Sequence, residues 1–149
     1  VGSEMCIRDR NNSIIRFHTD IRSSKIQEIT NNSSVSLIGY DKKNKLQIRI
    51  SANAVIEDNK KSLSEIWSNM YPMSRECYRV TEEPGKIISS ISDVSFQNEG
   101  EDKLNGFENF VVINCKINII ETLFLFASGH IRAKYNYKDK EFHGEWLVP

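Results

Sequence analysis

The sequence predicts a mainly β (α+β) domain: a small antiparallel barrel of six to seven strands with two helices. Two observations support this prediction. Stretches in which apolar and polar residues alternate, as they do in strands, recur between residues 14 and 148. Two shorter stretches instead follow the three-to-four-residue spacing of a helix face. A chain of 149 residues can bury one sizeable core, and it contains no internal repeat or domain boundary.

The first half of the chain supplies three strands and one helix. Residues 14–18 are mostly β-branched or aromatic, and three isoleucines within residues 21–29 then share one helix face. A second strand is predicted over residues 35–40, followed by a hairpin turn rich in Asp, Lys and Asn. Residues 46–56 form the clearest strand, since their apolar and polar positions alternate strictly. One face of that strand is therefore buried, and the other is wet or functional.

The second helix begins at an apparent capping box. Ser62 and Glu65 have the spacing of that motif, and the apolar residues that follow recur at helical intervals. We expect the helix to end before Pro72, because proline cannot continue a helix. Residues 81–106 are predicted to be a long loop, which in a compact domain is usually functional or mobile.

Strands resume in the last third of the chain. Residues 111–119 and 131–137 alternate between apolar and polar positions, residues 123–126 form a short apolar run, and residues 145–148 close the sheet. Trp67, Tyr71 and Phe124 are interpreted as core residues.

Composition restricts the function classes. The 20 basic and 20 acidic side chains cancel, which argues against a nucleic-acid partner bound by bulk charge. No apolar run is long enough to cross a membrane. Cys6, Cys77 and Cys115 are an odd number and include no Cys-x-x-Cys pair, so a metal centre and a disulfide framework are both disfavoured. These features predict a cytoplasmic protein.

The first ten residues differ in style from the rest. The segment VGSEMCIRDR resembles read-through of a sequencing adapter or a cloning scar, although an ordinary frayed terminus is the alternative. We therefore predict a non-native segment over residues 1–10, in place of lost N-terminal strands, and one domain over residues 11–149. The segment is left out of the predicted fold.

Three clusters of polar residues are candidates for chemistry. The first lies where the first strand leads into a helix, where backbone N–H groups, hydroxyls and cations together suit an anion; the alternative is a capped surface helix. The second is Gln47 on the wet face of its strand, because an amide donates and accepts hydrogen bonds and so suits the polar edge of a flavin or a base. The third consists of potential cations at alternate positions of a late strand, a pattern that also fits a solvent-facing strand. The first cluster contains His18, Thr19, Arg22, Ser23, Ser24 and Lys25, and the third contains His130, Arg132 and Lys134.

The order and spacing of these segments resemble the pyridoxamine 5'-phosphate oxidase-like FMN-binding family. The similar stretches are FHTDIRSSK at residues 17–25, the strands VSLI and LQIRI at residues 35–38 and 46–50, and GHIRAKY with the terminal WLVP at residues 129–135 and 146–149. The resemblance covers residues 14–149 and implies a split β-barrel. It also implies a homodimer with FMN at the subunit interface.

The resemblance also implies roles for individual residues. His18 and Thr19 would contact the flavin, and Ser24 and Lys25, helped by Arg22 or Ser23, would hold its phosphate. Gln47 would face the isoalloxazine ring, and Lys134 stands where the family usually has an arginine near the flavin. His130 and Arg132 stand at positions of substrate contacts. No catalytic residue and no metal ligand is assigned.

One departure from the family concerns the substrate. True oxidases present an Arg and a Ser to the substrate phosphate in the region after the second helix. This chain has Tyr71, Pro72 and Met73 there, and only a shifted Ser74 or Arg75 is available as a substitute. We therefore expect an FMN-dependent oxidoreductase acting on an unknown small molecule. The alternatives are a non-catalytic flavin-binding or sensor protein, and a genuine pyridoxamine 5'-phosphate oxidase of vitamin B6 salvage.

Overall fold

In the part of the chain that the structure describes, seven antiparallel strands form one continuous sheet. The computed structural model describes residues 13–97 and 106–149, together with the backbone of residues 5–9. The strands are β1 (Met5–Asp9), β2 (Ile14–Asp20), β3 (Ser34–Asp41), β4 (Leu46–Ile56), β5 (Phe110–Phe124), β6 (Ile131–Lys138) and β7 (Glu141–Leu147). Their order is β1-β2-β5-β4-β3, and β6 pairs with both β5 and β7. The predicted mainly β fold and its strand number are confirmed.

The long strand β5 organises this sheet. On one edge it pairs with β2 through Phe110–Lys116 and then with β6 through Ile119–Phe124. On its other edge it pairs with β4, where the register shifts between Ser51 and Ala52. Such a bulge increases the local twist and bends the strand. The two halves of β5 therefore belong to different parts of the sheet.

Among the described residues, three α-helices accompany the strands: α1 (Ser24–Asn31), α2 (Lys60–Ser68) and the single turn α3 (Pro72–Arg75). The capping box predicted at Ser62 is wrong. Asn59 is the N-cap of α2, since its side-chain oxygen accepts the backbone N–H groups of Lys61 and Ser62 at 3.0 and 3.2 Å. Ser62 therefore lies inside the first turn. The helix ends before Pro72, as predicted, but that proline then begins α3.

Part of the segment that was predicted to be non-native belongs to the sheet. Met5–Asp9 pairs with β2, with Met5 opposite Phe17 and Ile7 opposite Ile15. Residues 1–4 and 10–12 lie outside the described residues. The non-native origin of residues 1–10 stays a prediction, because the pairing of a strand does not show where the segment comes from.

Two buried clusters lie on opposite faces of β5. Ile113 and Cys115 point into the barrel, while Val112 points toward α2 and packs with Trp67, which is 1% exposed. The first half of β5 is therefore buried on both faces. Trp67 is a core residue, as predicted, but Tyr71 is not, because it is the N-cap of α3 and 79% exposed. Phe124 is half-buried and stacks on Phe126.

Candidate functional site

The junction between β2 and α1 gathers most of the predicted cofactor-binding residues. β2 carries His18 and Thr19 to its C-terminal end, where the buried imidazole of His18 packs edge-on against Phe110. A tight turn follows, closed by the backbone N–H of Ser23 bonding to the carbonyl of Asp20 at 3.1 Å. Ser23 is the N-cap of α1, and its side chain accepts the N–H of Lys25. The strand end and the helix N-terminus therefore lie side by side.

A cavity of about 460 Å³ opens at this junction. That volume falls within the range of about 300–1,000 Å³ that is usual for small-molecule sites. The second wall of the cavity comes from the segment after α2 and from the long loop that precedes β5. Four of the predicted residues line it: His18, Thr19, Ser23 and Lys25. Ser24 is the first residue of α1 and is exposed, but it does not line the cavity.

Lys25 lies between two cavities. Its ammonium group is 5.5 Å from the centroid of the Phe17 ring, a cation–π contact. The side chain lines the first cavity and also a second one of about 590 Å³, which α1 forms with the edge strand β3. None of the ion pairs found among the described residues includes Lys25. It is therefore an exposed cation beside the N-terminus of α1, where N–H groups and the helix dipole favour an anion.

Arg22 has a different environment from the one expected of a phosphate ligand. Its guanidinium binds both carboxylate oxygens of Asp20, at 3.0 and 2.7 Å. It also donates to the carbonyls of Val80 and Thr81, each at 3.0 Å. The hydrogen bond to Asp20 raises the pKa of Arg22 above its ordinary value. Arg22 therefore joins the end of β2 to the start of the loop 80–97, and we name this arrangement the Asp20–Arg22 latch.

The remaining predicted residues lie on the outer face of β4, β5 and β6. Gln47, Leu123 and Arg132 are aligned across the three strands, and next to them Arg49, Glu121 and Lys134 are aligned in the same way. Arg132 forms an ion pair of 2.7 Å with Glu121, beside a small cavity of about 130 Å³ that Gln47 also lines. We call these residues of β4, β5 and β6 the outer-face cluster. The cavity beside them is too small to enclose a flavin by itself. His130 is exposed in the loop before β6.

One chain does not bring the two groups of predicted residues together. Thr19 pairs with Val111, whereas Gln47 pairs with Leu123, twelve residues further along β5. At about 3.3 Å per residue this separation is roughly 40 Å along a straight strand, and less where the strand bends. The cavities at the two places share no lining residue. A single chain therefore does not offer both groups to one ligand of the size of a flavin.

The residues proposed as substitutes for a substrate-phosphate site are also separated. Ser74 lines the cavity at the β2–α1 junction. Arg75 does not line it, because its guanidinium donates to the carbonyls of Ser68 and Met70 at 2.9 and 2.8 Å and lies 5.6 Å from the Trp67 ring. These contacts cap the C-terminal end of α2. Arg75 is therefore committed to the helix and is not directed at a ligand.

No other class of site is apparent in the part of the chain that the structure describes. Within residues 13–97 and 106–149, no three His, Cys, Asp or Glu side chains are grouped to hold a metal ion. No helix in these ranges has the length and apolar character required to cross a membrane.

The comparisons with known proteins bear on this arrangement. Residues 4–58 match the family model described as the pyridoxamine 5'-phosphate oxidase FMN-binding domain. A crystal structure of a pyridoxamine 5'-phosphate oxidase-related, FMN-binding protein from Nostoc punctiforme superposes with a TM-score of 0.80, at 20% identity, over 99% of this chain and 79% of that one. The chain therefore has the split-barrel fold of that protein, and its residues 4–58 are similar to the family's FMN-binding domain. The resemblance drawn from the sequence is thereby confirmed.

A second structure supports the same fold assignment. PhzG from Burkholderia lata, solved with tetrahydrophenazine-1-carboxylic acid, has a TM-score of 0.71 and 16% identity, and the match covers 99% of this chain and 73% of that one. No curated protein sequence is significantly similar to this split barrel. At such identities the solved structures establish the fold, while the matched model covers β1 to β4 and the β2–α1 junction.

Sequence reasoning missed several residues of these sites. Asp20 lies just after the predicted strand 14–18, and nothing in the local sequence predicts its ion pair with Arg22. Glu121 interrupts an apolar stretch of the sequence, and that interruption is the available signal for a polar contact on the outer face. Glu82 and Glu83 line the first cavity from a loop that carries no periodic pattern. Nothing in the local sequence predicted their position.

Proposed function

We propose that this split barrel is an FMN-binding flavoprotein, and that the cavity at the β2–α1 junction receives part of the flavin. The supporting observation is that Lys25, which forms no ion pair with any residue that the structure describes, lies at a helix N-terminus on the wall of a ligand-sized cavity. The segment lies within the residues that match the FMN-binding domain model. The donor set fits a phosphate, since backbone N–H groups and an ammonium both bind its oxygens.

Individual residues take the following roles in this proposal. Lys25 and Ser23, with the first N–H groups of α1 including that of Ser24, hold the FMN phosphate. His18 and Thr19 line the cavity next to them and contact the rest of the flavin. Arg22 positions the turn through the Asp20–Arg22 latch and is not itself a phosphate ligand.

The outer-face cluster contributes from a second copy in a homodimer. Its separation from the β2–α1 junction supports this, since one chain does not offer both groups to one ligand. Gln47 and Lys134 would then face the flavin, while Arg132 and His130 would face a small-molecule substrate. Glu121 holds the Arg132 guanidinium in place.

Oxidoreductase activity is the function that best suits such a site. A bound flavin supplies the electron transfer, and the protein contributes binding, orientation and electrostatics. The protein residues named above would therefore not include a proton-transfer group. A cytoplasmic location fits the buried free thiol of Cys115, because reducing compartments keep thiols reduced.

The experiment that tests FMN binding compares two ligands that differ only by a phosphate. Lys25→Ala should weaken FMN by roughly tenfold to a hundredfold, since a charge-assisted bond contributes about 1.5–3 kcal/mol. Riboflavin, which lacks the phosphate, should lose little affinity. Fluorescence quenching of each flavin on titration with protein gives both dissociation constants. Lys138→Ala, an exposed lysine at the end of β6, is the matched control and should change neither.

The result that contradicts the phosphate assignment is an equal loss of affinity for both ligands in Lys25→Ala. If wild-type protein binds neither flavin, the proposal as a whole is wrong.

Two further assays address the alternative functions, which are a genuine pyridoxamine 5'-phosphate oxidase and a non-catalytic flavin-binding or sensor protein. We expect little or no production of pyridoxal 5'-phosphate from pyridoxamine 5'-phosphate under air, with FMN saturating, because Arg75 is held at the end of α2. Turnover equal to that of a genuine oxidase would make this chain a vitamin B6 salvage enzyme. Failure of the bound flavin to be reduced by any candidate donor in stopped flow would favour the sensor alternative.

A further inference from the structure

The cavity at the β2–α1 junction has two walls of different chemistry. One wall belongs to β2 and α1 and includes Lys25. The other comes from the segment after α2 and from the loop 80–97, and we call it the loop wall. Its apolar and neutral members are Met70, Ser74, Cys77, Tyr78, Val80, Pro84, Ile88 and Val94, and its charged members are Glu82, Glu83 and Lys86. Carboxylates therefore outnumber cations on the loop wall.

Most charges around the cavity are already paired. Asp20 is bound by Arg22, and Glu82 forms an ion pair of 2.5 Å with Lys86. Neither Lys25 on one wall nor Glu83 on the other forms an ion pair with a residue that the structure describes. Lys25 is held toward Phe17, at the boundary with the second cavity. The cavity is therefore polarised, with Lys25 at the helix N-terminus and two carboxylates against one ammonium group on the loop wall. Glu83 interacts electrostatically with Lys86 and Arg22 without a direct ion pair.

Arg79, which lies between two loop-wall residues in sequence, is bound to Glu76 and to the carbonyl of Gln97, and Arg75 is also directed elsewhere. Arg75 follows Ser74, which lines the cavity, but its guanidinium is bound to two carbonyls at the end of α2 and lies over Trp67. Turning it toward the cavity would break both hydrogen bonds and the cation–π contact. The loop wall consequently receives no compensating positive charge from this residue.

The position of the carboxylates is fixed by several contacts at the base of the loop. The Asp20–Arg22 latch holds the carbonyls of Val80 and Thr81. Thr81 also donates its backbone N–H to Ser95 at 3.0 Å, and Val80 forms a bridge with Phe96. Glu82 and Glu83 follow these anchored residues directly. Their presence on the wall is thus a consequence of the fold of the loop base.

We propose that the loop wall selects its ligand by charge, and that the substrate portion seated against it is neutral or cationic and carries no phosphate or carboxylate. This inference rests on the proposed function, in which the Lys25 side of the same cavity holds the FMN phosphate. It deepens that function by assigning a substrate class. The charge that the wall disfavours is the doubly negative phosphate ester, because the two carboxylates of the wall outnumber its one ammonium group and repel such an ester, and few donors replace its hydration.

Cys77 offers a direct measure of the potential in the cavity without knowledge of the substrate. The thiol is exposed and lines the cavity. Two methanethiosulfonate reagents, one ending in trimethylammonium and one in sulfonate, convert a thiolate to a mixed disulfide and release methanesulfinate. The rate of the cationic reagent at Cys77 is divided by the rate of the anionic reagent, and this ratio is divided by the same ratio at free 2-mercaptoethanol. The normalised ratio reports the local charge. A carboxylate about 8 Å away changes this normalised ratio by roughly three- to sixfold at low salt.

The experiment uses the flavin-free protein, with Cys77→Ser to subtract reaction at other thiols. Wild type should favour the cationic reagent at least threefold after normalisation, and Glu82→Gln with Glu83→Gln should remove or reverse that preference. Glu141→Gln, a change on the distant strand β7, is the matched control and should leave the ratio unchanged.

The outcomes separate this inference from the proposed function. A normalised ratio at or below one in wild type, or a ratio that the double substitution does not change, overturns the charge selection. A Cys77 that reacts with neither reagent also overturns it, since the thiol would then not line an open cavity. Because flavin is absent from the assay, none of these results depends on FMN binding, and the comparison of FMN with riboflavin tests that separately.

Discussion

The Asp20–Arg22 latch makes a prediction that distinguishes a structural arginine from a phosphate ligand. Arg22→Ala removes two hydrogen bonds to the carboxylate of Asp20 and two to loop carbonyls. The Asp20 side chain, which is only 7% exposed, then keeps the hydrogen bond from the backbone N–H of residue 22. Removing one partner of a fully buried ion pair costs about 3–5 kcal/mol. Because the arginine side chain is 23% exposed, we expect about 2–3 kcal/mol here.

This loss is large enough to measure in two ways. Urea unfolding gives the change in free energy directly, and for a domain of this size the midpoint of thermal unfolding should fall by about 5–10 °C. Asp20→Asn alone should cost less, and the double variant should be less destabilised than the sum of the single variants, because the two residues act on one another. Lys86→Ala removes an exposed ion pair and should lower the free energy of unfolding far less than Arg22→Ala does.

The same variant also tests the ligand assignment. If Arg22 only positions the turn, Arg22→Ala weakens FMN and riboflavin by similar factors, unlike Lys25→Ala. A loss of FMN affinity alone, with unfolding free energy unchanged, would refute the reasoning and restore Arg22 as a phosphate ligand.

Three further predictions concern the fold. Asn59→Ala should destabilise the protein to urea by about 1 kcal/mol, whereas Ser62→Ala should have little effect, because Asn59 caps α2; the reverse order would support the capping box. Burial raises the pKa of Cys115 to about 11, so peptide mapping after iodoacetamide treatment at pH 8 should find it unmodified unless the protein is unfolded. The side chain of Asn44, with backbone N–H groups of the same turn, lowers the pKa of Asp41 below its ordinary value. The stabilisation that Asp41 gives is therefore present above its unfolded pKa and is lost as the pH falls through its folded pKa. The urea midpoints of Asp41→Ala and wild type should converge between about pH 5 and pH 2, and a constant gap would contradict this.

The strands were predictable because their signal is local. Alternation over residues 46–56 follows from one buried and one exposed sheet face, and β4 has these bounds in the structure. The start of α2 was mispredicted because Asn59 and Ser62 are both good N-caps, and the sequence contains no measure of which one the preceding chain reaches. Tyr71 was assigned to the core by residue type alone. Its position before Pro72, at the entry to a new helical turn, explains why it is exposed.

The candidate site was predicted only in part, for a similar reason. The arrangement of Ser23 and Lys25 at a helix N-terminus is a short-range feature, and the sequence contains it. The role of Arg22 depends on carbonyls almost sixty residues away, and carbonyl groups are common to every residue type. The pairing of Arg132 with Glu121 required the register of β5 and β6, which alternation does not specify.

The central position of β5 also determines when the sheet can assemble. β2 and the free edge of β4 both pair with a strand that begins at residue 110, so Arg16 meets Asn114 only after most of the chain has been made. Domains dominated by such distant pairings fold slowly, in about milliseconds to seconds, because loop closure precedes the contacts that offset its entropy. Until β5 is available, the paired strands β3 and β4 present an open edge to other chains. Polypeptides that stop before residue 110 should therefore aggregate during synthesis, which a truncation series in a cell-free translation system would reveal.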